Sequence, residues 1–168
     1  MTLRQLDSQE PFVSLAQVKS ILASAKDRYL LLLLTERRHA IPKVKPGIPA
    51  LSYVVLDVLT DVQGPLDEAL TNFCKQRPRV QYRRLLIDRT DQQVMTTLGV
   101  VWLPQVRLMR NGRVLFRSSV SVGDTGQFLA QDVGGRSYVR RVSPPASGFV
   151  SLTDALSAEI DRPRSPLP

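Results

Sequence analysis

The chain has 168 residues and a formal net charge of +8, from 23 Lys and Arg against 15 Asp and Glu. Hydrophobic residues make up 43% of it, which is enough for the core of one domain and argues against wholesale disorder. The single cysteine, Cys74, excludes an internal disulfide and a cysteine-based zinc site. With His39 as the only histidine, we expect no metal centre and no cofactor.

A helix and a buried strand are expected first in chain order. Residues 14–25 carry apolar side chains at helical spacing, and Ser14 stands where an N-cap is expected. Residues 28–35 (RYLLLLLT) form a continuous apolar run. Such a run is typical of a strand buried on both faces and is too short to cross a membrane. Residues 1–13 are predicted to form an N-terminal extension.

The next segment is predicted to be mostly loop. Residues 36–50 are basic and contain three prolines and a glycine. Residues 51–59 (LSYVVLDVL) fit a strand by their β-branched and aromatic content, but their apolar spacing also permits a helix. Residues 64–76 predict a helix with Pro65 in its first turn, acidic residues near its start and Lys75 near its end.

The following part predicts a strand, a short helix and a hairpin. Residues 80–88 are typical of a strand, and residues 91–99 of a helix capped by Asp91. Two runs of alternating apolar residues then flank Asn111 and Gly112. Apolar runs joined by Asn-Gly are the strongest short-range signal for a β-hairpin.

The C-terminal part predicts an insertion and a last helix. Residues 121–148 are rich in Gly, Ser and Pro and are interpreted as a long insertion. Residues 151–162 predict a helix capped by Ser151, and residues 163–168 a flexible tail. Helices and strands thus alternate before the hairpin. This order predicts an α/β fold with a mixed sheet and helices on both of its faces.

From "LLID" through "LGVVWLPQVRLMRNGRVLFR" the chain resembles the C-terminal half of the thioredoxin fold. That half has a strand ending in Asp, a short helix, a glycine, a hydrophobic residue before a proline, and two strands joined by Asn-Gly. The residues that match this pattern are Gly99, Val100, Leu103, Pro104, Asn111 and Gly112. The resemblance implies a thioredoxin-like mixed sheet flanked by helices, in one domain of residues 14–162 with two insertions.

The resemblance also implies that Pro104 has a cis peptide bond and shapes a shallow groove. In this fold the groove lies beside the position at which a cysteine pair opens the second helix. Trp102 and Leu103 would flank the groove, and the residue before the proline would offer its backbone to an extended peptide. The alternative interpretation is that Trp102 is ordinary packing and that Pro104 merely begins a strand.

The chain departs from the family because it has no cysteine pair. Without two thiols there is no dithiol–disulfide exchange, and Cys74 lies well inside a predicted helix. We therefore expect no catalytic residue and no enzyme. Two segments remain candidates for the second helix, residues 48–59 and residues 64–73. The first insertion is accordingly near 60–79 or near 36–63, and the second is residues 121–148 in both cases.

Basic residues occur in pairs along the chain, and we predict that they form a basic surface. Arginine binds carboxylates and phosphates through a planar fork, so this excess suits an acidic protein or RNA. A merely solvated surface is the alternative. The predicted surface consists of Arg37, Arg38, Lys43, Lys45, Arg83, Arg84, Arg140 and Arg141.

These features predict a redox-inactive thioredoxin-like binding module. It would be a subunit or adaptor of a larger assembly with a protein partner, either acidic or part of a ribonucleoprotein. In role and length it is similar to the spliceosomal thioredoxin-like family, which also lacks a working cysteine pair. The alternatives are a thiol oxidoreductase dependent on Cys74 and a chaperone that binds peptides in the Trp102–Pro104 groove.

The first residues lack an apolar signal core. We therefore expect an intracellular, reducing compartment, with the nucleus or cytoplasm favoured over the mitochondrion, and no membrane partner.

Overall fold

The computed structural model describes residues 11–24, 26–41, 58–61, 64–100, 103–123, 127–132 and 150–161. The helices in these ranges are α1 (Leu15–Ser24), α2 (Pro65–Lys75), α3 (Gln92–Leu98) and α4 (Leu152–Ile160). The strands are β1 (Tyr29–Thr35), β2 (Arg38–Ile41), β3 (Val58–Asp61), β4 (Val80–Leu86), β5 (Gln105–Arg110), β6 (Arg113–Val122), β7 (Phe128–Asp132) and β8 (Val150–Ser151).

Six strands form one mixed sheet in the order β4-β1-β5-β6-β7-β8, while β2 and β3 pair as a separate two-stranded sheet. β1 and β4 are parallel, and the other neighbours in the large sheet are antiparallel. Parallel neighbours need a crossover connection, and α2 lies in the connection between β1 and β4. The expected α/β fold with a mixed sheet is therefore confirmed.

β1 is the centre of the molecule, and all seven of its residues are buried. Successive side chains in a strand point to opposite faces of a sheet. Leu31 and Leu33 therefore pack on one face, under α2 and α4, while Leu30, Leu32 and Leu34 pack on the other, under α1 and α3. This double burial explains the continuous apolar run in the sequence.

The helices close the two faces of the sheet with apolar side chains. Leu66 and Leu70 of α2 and Leu156 of α4 are at most 1% exposed and belong to the first face. Val18 of α1 and Val94 of α3 are fully buried on the second. The sheet is thus the middle of three layers.

The expected helix caps are present. Asp91 accepts a hydrogen bond from the first turn of α3, and Gly99 ends that helix in the left-handed region at a φ of 63°. Ser14 and Gln17 exchange hydrogen bonds at the start of α1, with distances of 2.8 and 3.2 Å. Ser151 accepts a hydrogen bond from the first turn of α4. These caps confirm three helix starts that local sequence predicted.

The hairpin between β5 and β6 is also confirmed. Asn111 and Gly112 have φ angles of 50° and 77°, the left-handed conformation that a tight two-residue turn requires. The side-chain oxygen of Asn111 accepts a hydrogen bond from the backbone N–H of Asp27 at 2.9 Å. This contact fixes the hairpin tip to the residues that lead into β1.

The predictions for the irregular segments need correction. The expected loop from residue 36 contains β2, and the expected insertion at 121–148 contains the end of β6 and all of β7. Short strands of this kind depend on partners for their hydrogen bonds, which the local sequence does not reveal. α2 covers nearly all of the candidate at residues 64–73, whereas most of the candidate at residues 48–59 lies outside the described residues, so the choice between them stays a prediction. Residues 51–57 and 133–149 lie outside the described residues.

Candidate functional site

The turn before β5 holds two of the three residues predicted to form a groove. The peptide bond between Leu103 and Pro104 is cis, as the resemblance implies. Pro104 is buried, and Leu103 is half-buried and packs against the core beneath α1 and α3. Trp102 lies outside the described residues. The groove therefore stays a prediction.

α2 has no cysteine in its first turn. Gly64 is its N-cap and Pro65 its first residue, and Leu66 beside them is only 1% exposed. Cys74, the one cysteine of the chain, lies in the last turn and is half-buried against the core. Burial raises the pKa of Cys74 to about 11, and the nearby Arg77 lowers it only in part. A thiol that is protonated at neutral pH is a poor nucleophile.

The predicted basic surface falls partly within the described residues. Arg83 is exposed and Arg84 half-buried on β4. Arg37 stacks on Phe12, with the guanidinium carbon 4.3 Å from the ring centre. The backbone of Arg38 belongs to β2. Outside the description lie the side chain of Arg38 and the residues Lys43, Lys45, Arg140 and Arg141.

An open cavity of about 530 Å³ runs along the outer side of β4, and we call it the β4 edge groove. Among the described strands, β4 lies at the end of the large sheet, with β1 as its neighbour. α1 contributes Gln17 to one wall and α2 contributes Asp67 to the other, while Arg83 and Arg84 come from the strand between them. Adjacent strand residues point to opposite faces. The two arginines therefore flank the groove on both sides of the sheet.

The α2 wall of the groove is held by a hydrogen-bond pair. The Tyr82 hydroxyl donates to the carboxylate of Asp67, and the Thr71 hydroxyl donates to the Asp67 backbone carbonyl at 2.7 Å. Burial, followed by the hydrogen bond and the charge of Asp67, raises the pKa of Tyr82 well above its usual range. The phenol therefore stays protonated and keeps this wall in place.

A smaller cavity of about 340 Å³ lies beyond the C-terminal ends of β1 and β4. Arg37, Glu36 and Arg89 line it, and Arg89 forms an ion pair with Glu36. Residues 11–13 contribute to both cavities. Arg37 is thus brought to the same end of the sheet as the β4 edge groove.

β5 carries a buried polar cluster that the sequence analysis missed. Gln105 is 0% exposed and Arg107 is 3% exposed. Arg107 donates to the side-chain oxygen of Gln105 from Nε at 2.9 Å and from Nη2 at 2.7 Å, and from Nη1 to the carbonyl of Leu98. Burial, followed by repulsion from Arg117, lowers the pKa of Arg107 to about 10. The side chain therefore remains a cation at neutral pH.

The sequence does not indicate that the side chains of this cluster are buried. Arg107 stands between Val106 and Leu108 in the sequence, and this spacing does not distinguish an enclosed side chain from an exposed one. The structure instead makes β5 an inner strand, with β1 on one side and β6 on the other. The guanidinium lies at the C-terminal end of α3, where helix carbonyls favour a positive charge.

Within the described ranges, no group of His, Cys, Asp and Glu is arranged to hold a metal ion. None of the helices described is long and apolar enough to span a bilayer. Comparison of the chain with protein-family models, with curated protein sequences and with solved structures gave no match.

Proposed function

We propose that this protein is a redox-inactive, thioredoxin-like binding module that serves as a subunit or adaptor of a larger assembly. Its partner is acidic, either a protein surface or a ribonucleoprotein, and it binds at the β4 edge groove. The observation that carries the proposal is the position of Arg83 and Arg84 on an edge strand, beside an open cavity of about 530 Å³.

The arrangement of the sheet supports the thioredoxin-like part of the proposal. β4 and β1 form a parallel pair, and β1 continues into the antiparallel strands β5 and β6. α2 lies in the crossover, and α3 connects β4 to the turn before β5. A thioredoxin-like core combines these same parts in this order.

The state of the thiol supports the redox-inactive part. The family's cysteine pair opens the second helix, and here that helix opens with Gly64, Pro65 and the buried Leu66. Cys74 lies at the other end of the helix with its pKa raised to about 11. It therefore has neither a second thiol nor the ionisation that thiol exchange requires.

The charge distribution supports an acidic partner. The chain carries an excess of eight positive charges, since 23 minus 15 is 8. Arg83 and Arg84 line the groove, and Arg37 lines the neighbouring cavity. Such a patch raises the local concentration of anions and speeds their encounter. Arginine forks then hold carboxylates or phosphates with defined geometry.

The redox part is tested by the alkylation rate of Cys74 in the native protein. Its pKa is about 11 against 9.0 for an unperturbed thiol. We therefore expect native labelling with iodoacetamide at pH 8 to be on the order of 100-fold slower than labelling in guanidinium chloride. The native rate should rise with pH up to about 11. Equal rates in the two states would contradict the proposal, as would reduction of a disulfide substrate.

The binding part is tested with short charged polymers on the full chain. Fluorescein-labelled oligoglutamate and oligouridylate serve as acidic probes, and oligolysine of equal length is the control. We expect anisotropy to report binding of an acidic probe that weakens as salt rises, because screening shortens the reach of the charges to about 8 Å at physiological salt. Failure of both acidic probes to bind at low salt would refute the proposed partner class.

A matched pair of variants locates the binding surface. Arg83 on β4 and Arg113 at the start of β6 are both exposed arginines, but only Arg83 lines the β4 edge groove. Arg83→Glu should reduce the affinity for the acidic probe by about tenfold, as expected for a lost ionic contact replaced by repulsion. Arg113→Glu should change it much less. Equal losses would mean that net charge alone drives binding.

A further inference from the structure

We propose that Gln105, Arg107 and Arg117 form a binding site for a small oxyanion, either a carboxylate or a phosphate group. The site lies on the face of β5 and β6 that α1 and α3 share, across β1 from the β4 edge groove. It goes beyond the proposed function, because it depends on different residues and on a different ligand contact.

The cluster has more hydrogen-bond donors than acceptors. Each terminal nitrogen of a guanidinium carries two N–H groups, and each terminal nitrogen of Arg107 makes a single hydrogen bond. The side-chain amide nitrogen of Gln105 is buried and has no hydrogen-bond partner. The N–H groups of this amide and the remaining N–H groups of Arg107 therefore have no acceptor among the described residues. Buried donors without acceptors are rare and call for an explanation.

The charges in the cluster are also unbalanced. Arg107 and Arg117 are direct partners in the antiparallel register of β5 and β6, so their side chains start from the same face of the sheet. Their repulsion contributes to the lowered pKa of Arg107. Every acceptor that Arg107 contacts is a neutral oxygen, from Gln105 or from Leu98. A buried cation without a carboxylate partner is unfavourable.

An oxyanion supplies both the missing hydrogen-bond acceptors and the missing negative charge. Its oxygens can accept from the remaining N–H groups of Arg107, one on each terminal nitrogen, as carboxylates and phosphates do from arginine. A further oxygen contact can satisfy the amide nitrogen of Gln105. The negative charge also offsets the repulsion between Arg107 and Arg117. A halide has the charge but not the forked geometry, so it cannot replace the oxyanion fully.

β6 provides the side from which the anion approaches. Arg117 is exposed, and Ser119, the next residue on the same face, is half-buried. Gln105 and Arg107 lie deeper, at 0% and 3% exposed. The arrangement places an exposed arginine opposite a buried, hydrogen-bonded one. Arg117 is thus suited to capture the anion and Arg107 to define its orientation.

The site is tested by titrating the full-length protein with inorganic phosphate, with sodium acetate and with sodium chloride at matched ionic strength. A ligand that binds only the folded state raises the melting temperature in a saturable manner. We expect such a rise with at least one of phosphate and acetate and none with chloride. The side-chain NH₂ signals of Gln105 should shift in the same titration. The anion that acts at the lower concentration identifies the source as a phosphate or a carboxylate group.

Two exposed arginines on β6 provide a matched comparison. Arg117→Gln removes the charge opposite Arg107, whereas Arg113→Gln removes a charge from the start of the same strand. We expect Arg117→Gln to weaken anion binding by about tenfold, the loss typical of a charge-assisted contact. Arg113→Gln should leave it unchanged. Gln105→Leu, which alters no charge, should also weaken binding as measured by the melting temperature.

Equal responses to phosphate, acetate and chloride would overturn the proposal, because they would show general screening rather than a site. Equal effects of Arg113→Gln and Arg117→Gln would overturn it as well. The β4 edge groove is tested separately, because Arg83→Glu changes the affinity for oligoglutamate and leaves the three residues of the oxyanion site in place. Failure of one proposal therefore does not imply failure of the other.

Discussion

β4 and β5 are the two strands that flank β1, and each carries two arginines. On β4, Arg83 is exposed beside an open groove; on β5, Arg107 is 3% exposed beneath a helix end. The difference arises from position in the sheet. β4 has one neighbour and β5 has two. The same residue type is thus exposed beside an open groove on one side of β1 and belongs to a buried polar cluster on the other.

The largest expected effect concerns the strand between these two regions. Leu32 of β1 is fully buried and lies in register with Arg107. Leu32→Ala should lower the free energy of unfolding by about 3 kcal/mol, because it removes buried methyl groups and leaves a cavity. Urea unfolding monitored by circular dichroism measures this change. Leu22→Ala on α1 is the control. Its side chain is only half-buried, so the free energy of unfolding should fall clearly less than in Leu32→Ala.

The buried arginine is expected to have the next largest effect. Arg107→Met leaves the oxygens of Gln105 and Leu98 without their donor, so stability should fall by about 2 kcal/mol. The double variant Gln105→Leu with Arg107→Met should recover part of the loss, because both buried polar partners are then replaced by apolar groups. An Arg107→Met variant as stable as the native chain would show that burying this charge offsets all of its hydrogen bonds.

The tyrosine in the groove wall should matter less. Tyr82→Phe removes the hydrogen bond to Asp67 and should lower stability by about 1 kcal/mol. Burial of the phenol, followed by this hydrogen bond, raises the pKa of Tyr82 and makes stability depend on pH. The unperturbed phenol has a pKa of 10.0 and the folded one a higher pKa, so the unfolded state binds fewer protons above pH 10 and stability falls there.

Thermal melts across the alkaline range check this pH dependence. The fall above pH 10 should be smaller in Tyr82→Phe than in the native chain. Cys74 contributes in the same direction from pH 9 upward, so the comparison is made in a Cys74→Ala background. An unchanged slope in Tyr82→Phe would contradict the assigned hydrogen bond.

The smallest expected effect on stability lies at the edge arginine. Arg83→Ala removes an exposed side chain and should change the free energy of unfolding by no more than about 0.5 kcal/mol. Its affinity for oligoglutamate should nevertheless fall measurably. This combination of a small change in stability with a measurable loss of affinity for oligoglutamate distinguishes Arg83 from Arg107, whose replacement is expected to lower stability. A large loss of stability in Arg83→Ala would remove the distinction between the two strands.

Much of the regular structure could be predicted because its signals are local. The apolar run of β1, the caps of α1, α3 and α4, and the Asn-Gly hairpin each depend on a few neighbouring residues. β2 and β7 were missed because short strands take their stability from partners distant in sequence. The sequence did not separate the two candidates for the second helix, because the apolar spacing of both segments permits a helix.

The candidate sites were predictable to a smaller extent. The sequence showed that Arg83 and Arg84 are adjacent, and strand geometry implied that they point to opposite faces. It did not show that β4 is an edge strand with a helix on each side of its groove. Gln105 and Arg107 were not recognised, because neither composition nor spacing distinguishes a buried arginine from an exposed one.

The sequence by itself determined the local elements, the absence of a second thiol and the excess of positive charge, since each is a property of residue identity or of short-range spacing. Only the tertiary structure decided which arginines face solvent and which are enclosed. Burial and electrostatic environment depend on which strands become neighbours, and that pairing joins residues far apart in the chain. The chemistry expected of Arg83 and of Arg107 therefore follows from strand order rather than from sequence context.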